Sequence, residues 1–345
     1  MRYGPIADDA RDRWFLDSPR APLALLATFV PLVQARGLMA AVRAGVFEAL
    51  RNGPRAPEVI AEATGSDLDT LELLLRVLAA SGYLDLGPDG YRLSQVASST
   101  LLVDGTDSLT AWVALSQTWW RMFDHFDETL RCGSGHDLHT NLGAAEDWAT
   151  YQEAMLENAR RTAPAVAELV PVRVGATALL DVGGSHGLFG ASVARLHPPM
   201  RCTVLDLPAA IDHAERLARR EGIADVVSHR GADVLIDDLG SGYDVVFLGN
   251  LLHHFAPGQV QALLARVRCA LTPDGTVAVY GTSRAESGAV ADLLGDSFAL
   301  FFRLTSSART YTIAEIEGWM AEAGFSSIRT EPLPLGAALT VARSE

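Results

Sequence analysis

The chain has 345 residues, 49% of them hydrophobic, and carries a formal net charge of −14 at pH 7. This length and composition allow one large or two medium domains with a substantial core. The acidic balance argues against a nucleic-acid partner, because phosphate backbones are bound by basic patches. Three scattered cysteines predict neither a disulfide framework nor a zinc site, so we expect no metal and a reducing compartment.

The N-terminal segment predicts helices of a soluble protein. It lacks the apolar core of a signal peptide. The most apolar early stretch, residues 21–42, contains Pro31, Gln34 and Arg36. We therefore expect a packed helix, no membrane partner and a cytoplasmic location.

Residues 1–105 predict a helical domain that ends in a hairpin. One helix carries leucines at helical spacing on a single face, at positions Leu68, Leu71, Leu74, Leu75 and Leu78. The segment GYLDLGPDGYRLS then predicts two short strands around a Gly-Pro-Asp-Gly turn. Helices followed by a hairpin are typical of a winged helix. A unit of this size is too small to bury all of its apolar helix surface by itself. We therefore expect a homodimer that forms through this domain.

Residues 106–170 predict a helical linker between this domain and the rest of the chain. An aromatic helix between residues 108 and 131 includes Trp119 and Phe123, and another helix runs from Trp148 to Val170. We expect the linker to contribute to the pocket of a small molecule.

From residue 171 to residue 345 the pattern changes to alternating strands and helices. The candidate strands are ALLDV, CTVLDL, VVSHRGA, DVVFLGN, TVAVYG and AALTVAR. This alternation predicts an α/β fold with a doubly wound, Rossmann-like parallel sheet. Ligands of such sheets bind at the carboxyl ends of the strands.

The first of these strands ends in a glycine-rich turn, LLDVGGSHGLFG, which predicts a ligand close to the main chain. The turn contains Asp181, Gly183, Gly184 and Gly187. Its spacing does not fit the dinucleotide fingerprint, because Ser185 stands where a glycine is required. Asp181 would also repel a pyrophosphate, whereas a sulfonium-bearing amino acid with its own ammonium group would be accepted.

Acids at the ends of the next two strands complete a nucleoside-binding pattern. Asp206, followed by Leu207, suits the two hydroxyls of a ribose, and Asp233, followed by Val234, suits an adenine amino group. Together with the acidic glycine turn and with Asn250 after the fourth strand, these residues predict S-adenosylmethionine as the cofactor.

The same motifs resemble those of a known enzyme family. The segments LLDVGGSHG, LDLP, LLHHF, RCALTPDGTVAV and EIEGWMAEAGF, in this order, are similar to class I S-adenosylmethionine-dependent O-methyltransferases of the caffeate and bacterial small-molecule type. The resemblance implies methyl transfer to a hydroxyl of a small secondary metabolite. It implies an obligate dimer in which the partner lends part of each acceptor pocket. It also implies that His253, in the family's Leu-His-Asp-Trp motif, is the general base.

The chain departs from that family at four positions. His254 stands where the family has aspartate, and Gly249 where it often has a lysine near the adenine. Gly281 and Ala308 replace two acids that flank the base. These losses keep open N- or C-methylation, or a non-methylating reaction such as cyclisation, decarboxylation or hydroxylation in the same pocket. A winged-helix ligand-sensing regulator is a third interpretation, which the negative charge disfavours.

The acceptor pocket is expected from position along the chain. The segment YQEAMLENA resembles a family helix with a Met-x-x-His-Ser motif and contributes Met155 and Asn158. The other candidate wall residues are His254, Trp119, Phe123, Phe298 and Phe302. This set predicts a flat, apolar acceptor such as an aromatic polyketide or a modified amino acid.

Overall fold

The computed structural model describes residues 4–105, 107–133, 135–142, 145–286, 292–306 and 308–344. The chain divides into two compact units, one that ends at Thr118 and one that begins at Trp119. A single helix, Thr110–Phe123, runs across this boundary. The three-part division at residues 105 and 170 stays a prediction.

The first unit consists of helices and one hairpin. Its elements are α1 (Ala10–Leu16), α2 (Leu23–Ala44), α3 (Val46–Ala49), α4 (Pro57–Thr64), α5 (Leu68–Ala80), β1 (Leu84–Gly87), β2 (Gly90–Leu93), α6 (Gln95–Thr100) and most of α7 (Thr110–Phe123). Leu71, Leu75 and Leu78 of α5 are buried in one core with Ile60, as the leucine spacing predicts. Strands β1 and β2 form the antiparallel hairpin.

Helix α2 is apolar and mostly exposed in the single chain. Ala41 is its one buried residue, while Leu25 and Phe29 are each 60% exposed. Judged by length and composition alone, this helix could cross a membrane. An apolar helix face that the chain leaves uncovered indicates an interaction site. That this helix packs within a protein and has no membrane partner stays a prediction.

The second unit is built on a seven-stranded sheet. Its strands are β3 (Ala178–Val182), β4 (Arg201–Asp206), β5 (Val227–Gly231), β6 (Tyr243–Gly249), β7 (Leu271–Thr282), β8 (Phe325–Pro332) and β9 (Ala337–Ser344). They lie in the order β5-β4-β3-β6-β7-β9-β8. Strands β3 to β7 pair in parallel, and β9 and β8 pair antiparallel at one edge. The predicted doubly wound α/β sheet is confirmed.

Helices cover both faces of this sheet. The helices of this unit are α8 (Phe126–Cys132), α9 (Leu138–Asn141), α10 (Ala145–Leu169), α11 (Leu188–Leu196), α12 (Pro208–Arg220), α13 (Pro257–Ala270), α14 (Leu293–Thr305) and α15 (Ile313–Glu322), and those that share a core with the strands are α10, α11, α12, α13 and α15. Adjacent residues of β3 are buried in different cores. Leu179 packs with α10 and α11, and Leu180 packs with α13 and α15. The carboxyl ends of β3, β4 and β6 therefore meet at one edge, where a ligand would bind.

Candidate active site

The glycine turn after β3 encloses a buried carboxylate. Asp181 is 1% exposed, and its Oδ2 accepts a hydrogen bond from the backbone N–H of Gly190 at 3.1 Å. A Cβ atom at Gly184 would lie 2.5 Å from Asp181 Cγ, and one at Gly190 would lie 2.4 Å from Cys202 Sγ. Burial raises the pKa of Asp181 to about 7, although the N–H of Gly190 opposes the shift. These two glycines make room for side chains beneath the turn.

Gly187 allows close packing at the start of α11, and its predicted part in binding the cofactor stays a prediction. Its φ of 79° lies in the left-handed region, at the start of α11. A Cβ atom there would lie 2.9 Å from side chains of Val204 and Val227. Gly187 therefore lets the turn pack closely on β4 and β5, and the structure does not place it on the wall of the cavity described next.

A cavity opens within the second unit at the carboxyl edge of the sheet. It brings together the other residues predicted to bind the cofactor, namely Asp181, Gly183, Gly184, Asp206, Leu207, Asp233, Val234 and Asn250. Met155, Asn158 and His254, predicted for the acceptor, border the same cavity. Three carboxyl groups, one near the end of β3, one at the end of β4 and one just after β5, thus share one space. This arrangement suits a ligand with several hydrogen-bond donors.

Asp206 is held at the end of β4 by the backbone. Its Oδ2 accepts the Ser185 N–H at 2.8 Å, and its Oδ1 accepts the Leu207 N–H at 2.7 Å. Burial raises the pKa of Asp206, while these two N–H groups limit the shift. A carboxylate has about four acceptor sites, so Asp206 can still accept hydrogen bonds from ligand hydroxyls.

Helix α10 contributes more of the cavity wall than the sequence predicted. Trp148, Tyr151 and Gln152 border the cavity together with Met155 and Asn158. Steps of three and four residues place these side chains on one helix face. Trp148, Tyr151 and Gln152 follow the same helical spacing as Met155 and Asn158, so the sequence carries a signal for all five.

Gln152, which borders the cavity, has an unused acceptor atom. Its Nε2 donates to the Ser185 Oγ at 3.2 Å and to the Ala210 carbonyl at 3.0 Å. Its Oε1 is buried and has no hydrogen-bond partner among the described residues. A buried acceptor in this state favours a ligand that can donate a hydrogen to it.

The two adjacent histidines after β6 have different surroundings. His254 borders the cavity. The ring of His253 stacks on Phe302 with centroids 3.6 Å apart, and it borders a second, smaller cavity with Gly281. Burial, with a smaller contribution from His139, lowers the pKa of His253 to about 3. The structure thus separates His253 from the cofactor-binding candidates, and its role as general base stays a prediction.

A third histidine, which sequence reasoning missed, contacts His254. His139 of α9 borders the cavity, and its ring meets that of His254 edge-to-face with centroids 4.7 Å apart. Its Nε2 lies 3.3 Å from the Tyr151 hydroxyl. Burial lowers the pKa of His139. His139 is far from His254 in the sequence and belongs to no motif, so only the fold brings the two rings together.

The aromatic residues predicted for the acceptor wall form a cluster of their own. Trp119 and Phe123 contact Phe301 edge-on, at centroid distances of 5.2 and 6.2 Å. Phe298 stacks with Phe302 at 6.5 Å. Phe302 also contacts the rings of His253 and His254. The structure does not bring these four predicted residues to the cavity wall, and their part in binding the acceptor stays a prediction.

A surface group of His125, Glu128 and His136 has the composition of a metal site. The Oε2 of Glu128 lies 3.6 and 3.5 Å from a nitrogen of each imidazole. The two rings, however, stack with centroids 3.9 Å apart and planes inclined by 30°. An imidazole binds a metal in its ring plane at about 2 Å, and two stacked, nearly parallel rings do not meet that condition for one ion. We interpret the group as two histidines that share one carboxylate.

Two family patterns match the chain. Residues 133–326 match the O-methyltransferase domain, and residues 32–104 match the O-methyltransferase dimerisation domain. The first match alone covers more than half of the chain.

Individual relatives agree with these matches. The mitomycin biosynthesis 6-O-methyltransferase of Streptomyces lavendulae is 30% identical over 281 residues, which are 77% of this chain and 79% of the relative. The 3-hydroxy-5-methyl-1-naphthoate 3-O-methyltransferase of Streptomyces sahachiroi is 28% identical over 301 residues, 85% of this chain and 86% of the relative. The crystal structure of human N-acetylserotonin methyltransferase in complex with SAM shares the fold, with a TM-score of 0.85 at 20% identity and coverage of 98% and 99%. The chain therefore belongs to the O-methyltransferase family.

Proposed function

We propose that this O-methyltransferase binds S-adenosylmethionine in the cavity at the carboxyl ends of β3, β4 and β5, and methylates a hydroxyl of a small aromatic metabolite. The observation that carries the proposal is that Asp206 and Asp233, from consecutive strands, border one cavity with the glycine turn. Ribose hydroxyls and an adenine amino group are hydrogen-bond donors, and carboxylates are their natural acceptors.

The remaining polar groups of the cavity suit the amino-acid end of the same cofactor. Gln152 offers a buried Oε1 without a partner in the part of the chain that the structure describes. Asp181 is a carboxyl that becomes anionic near neutral pH. An unsatisfied buried polar atom costs about 1–3 kcal/mol. A ligand ammonium group, which is both a donor and a cation, would remove that cost and favour the anionic form of Asp181.

The chain's own part in the reaction is to bind, align and exclude water. When bound, S-adenosylmethionine supplies an electrophilic methyl group. Alignment of the acceptor oxygen and removal of solvent then lower the barrier. Trp148, Met155 and Phe255 bring apolar surface to the cavity, which supports a flat acceptor. The relatives named for a hydroxynaphthoate and for N-acetylserotonin support the same acceptor class.

Calorimetry on an Asp206 variant tests the cofactor assignment. Loss of the ribose contacts should cost roughly 2–3 kcal/mol. Asp206→Ala should therefore weaken binding of S-adenosylmethionine about a hundredfold. Asp212→Ala, which removes an exposed acid of the neighbouring helix α12, is the matched control and should bind normally. Equal dissociation constants for Asp206→Ala and the wild type would contradict the assignment.

Product analysis tests the reaction. The protein is incubated with S-adenosylmethionine labelled in its methyl group and with a panel of hydroxynaphthoates and hydroxyindoles. We expect the label on oxygen, identified by mass spectrometry and NMR. A label on nitrogen or carbon, or an acceptor that is changed without methylation, would replace the proposed reaction with one of the alternatives from the sequence.

A further inference from the structure

We infer that His254, held in place by His139 and Tyr151, binds the hydroxyl group of the acceptor through its Nδ1 atom. The inference rests on the proposed function, because it assigns the acceptor end of the same cavity. It departs from the family resemblance, which implies that His253 faces the acceptor.

The first observation is an unused acceptor atom on a side chain that borders the cavity. The ring of His254 borders the cavity, and its Nδ1 is buried without a hydrogen bond to any residue that the structure describes. Burial, and then the proximity of His253 and His139, keep the pKa of His254 well below its ordinary value, so the ring is neutral at neutral pH. In the tautomer that carries its proton on Nε2, Nδ1 is an acceptor. A hydroxyl donor that reaches Nδ1 from the cavity, after a small movement of the ring, would satisfy it.

The second observation is a set of contacts that fixes the ring of His254. The His139 ring meets it edge-to-face, with centroids 4.7 Å apart and planes at 74°. His139 is itself placed by the Tyr151 hydroxyl, 3.3 Å from its Nε2, and by the Trp148 ring, with centroids 5.8 Å apart. Tyr151 and Trp148 belong to α10, which packs on the sheet. His139 and Tyr151 are therefore positioning residues for His254.

The third observation concerns the neighbouring His253. Its ring stacks on Phe302, and its backbone carbonyl accepts the Ser306 hydroxyl at 3.2 Å. The positions at which the family carries acids beside this histidine are Gly281 and Ala308, and neither has a carboxylate. His253 thus neither borders the cavity nor has the flanking acids that would stabilise its protonated form.

The inference predicts a preference for hydroxyl donors. A site with a buried, unpaired acceptor rejects an analogue of equal shape that lacks the donor. The protein should therefore bind a hydroxyarene more tightly than a methylarene of the same size, and His254 should be the source of the difference.

Binding of two matched probes tests this preference. The full-length protein is saturated with S-adenosylhomocysteine, and the dissociation constants of 2-naphthol and 2-methylnaphthalene are measured by fluorescence titration. His254→Phe keeps an aromatic ring but removes the nitrogen, and it should reduce the preference for 2-naphthol about tenfold, the effect of one buried hydrogen bond. His254→Asn places an amide oxygen near the position of Nδ1 and should restore part of the preference. Tyr151→Phe should lower it by a smaller factor.

The other outcomes overturn the inference in distinguishable ways. An unchanged preference in His254→Phe, a preference lost in His253→Leu instead, or no preference in the wild type would each reject it. Affinity for S-adenosylhomocysteine reports whether each variant is folded, and His254→Leu replaces His254→Phe if the larger ring is not accommodated. If the wild type binds no S-adenosylhomocysteine, the proposed function fails. If it binds the cofactor product but His254 does not set the preference, only this inference fails.

Discussion

Asp181 combines a buried position with a pKa of about 7, so its charge depends on what occupies the cavity. Below that pH the carboxyl is mostly neutral, and above it the anion dominates. A bound ammonium group favours the anion, and we therefore expect S-adenosylmethionine to bind more tightly as the pH rises through about 7 and to release protons near that pH. Calorimetry in two buffers of different ionisation enthalpy measures the released protons.

Asp181→Asn is the matched variant for this prediction. Its side-chain oxygen can still accept the N–H of Gly190, the contact seen at 3.1 Å in the wild type. The variant should lose the rise in affinity around pH 7. Proton release that persists in Asp181→Asn would assign the titration to another group.

Asp244, at the start of β6, has a lowered pKa, in contrast to the raised pKa of Asp181. Its Oδ2 accepts the N–H groups of Thr177 and Ala178 at 2.7 and 3.1 Å, and its Oδ1 accepts the Nε–H of Arg173 at 3.1 Å. Burial acts to raise the pKa of Asp244, but these partners together hold it below the ordinary value. The ionised carboxylate therefore joins the segment before β3 to β6.

Asp244→Ala should destabilise the protein by about 2–4 kcal/mol in urea unfolding at pH 7, because it leaves backbone donors unpaired. A group with a lowered pKa stabilises the fold above its ordinary pKa, and that stabilisation disappears as the pH falls through the folded value. The difference in unfolding free energy between variant and wild type should therefore shrink below about pH 4.

Asp225→Ala, which removes an exposed partner of Arg195, is the control and should cost less than about 0.5 kcal/mol. Equal stability of the Asp244 and Asp225 variants would contradict this account.

At the scale of elements, the strands of the parallel sheet were predictable and one edge strand was not. The segments ALLDV and DVVFLGN are apolar runs, and they form β3 and β6 with nearly every residue buried. Strand β8, with the sequence FSSIRTEP, lies at the edge, and only one of its eight residues is buried. Ser327 interrupts it with a φ of 52°, so neither an apolar run nor a clean alternation marks it. A buried strand is recognisable in the sequence by its run of apolar residues. An edge strand buries few residues and therefore lacks such a run.

The site shows the same contrast between local and long-range information. Asp206 and Asp233 could be predicted, because each follows a recognisable strand and the sheet rule fixes which edge they reach. His139 lies in the short helix α9 without a motif, and the paths of α9 and α10 decide that its ring meets His254. Adjacent residues such as His253 and His254 look equivalent in sequence, and the turn after β6 decides which of them borders the cavity.

The start of helix α15 is held by a capping box, which contributes to the stability of the fold. In this box, Thr312 Oγ1 accepts the Glu315 N–H at 3.1 Å and Glu315 Oε2 accepts the Thr312 N–H at 2.8 Å. Thr312→Ala should reduce the free energy of unfolding by about 1 kcal/mol. Thr312→Ser keeps the hydroxyl and should stay within about 0.5 kcal/mol of the wild type. Chemical denaturation measures both, and equal losses in the two variants would show that the methyl group, rather than the cap, stabilises the helix start.

At the scale of the whole molecule, the exposed face of α2 needs a partner. Leu25, Phe29 and Leu32 follow one another at helical spacing and are 60%, 60% and 47% exposed. The segment that matches the dimerisation domain, residues 32–104, begins within this helix. We propose that a second copy of the chain covers this face.

Light scattering on helix α2 variants tests the dimer. The wild type at micromolar concentration should have the mass of two chains. Phe29→Glu places a charge on the apolar face, where burial without a partner costs several kcal/mol, and it should yield monomer or aggregate. Ala27 is exposed on the opposite side of the helix, about 160° from Phe29 at 100° per residue. Ala27→Glu is therefore the matched control and should remain dimeric.

A monomeric wild type, or a Phe29→Glu protein that stays a dimer, would exclude this face as the interface. Sedimentation of the wild type with phospholipid vesicles would instead indicate that α2 meets a membrane.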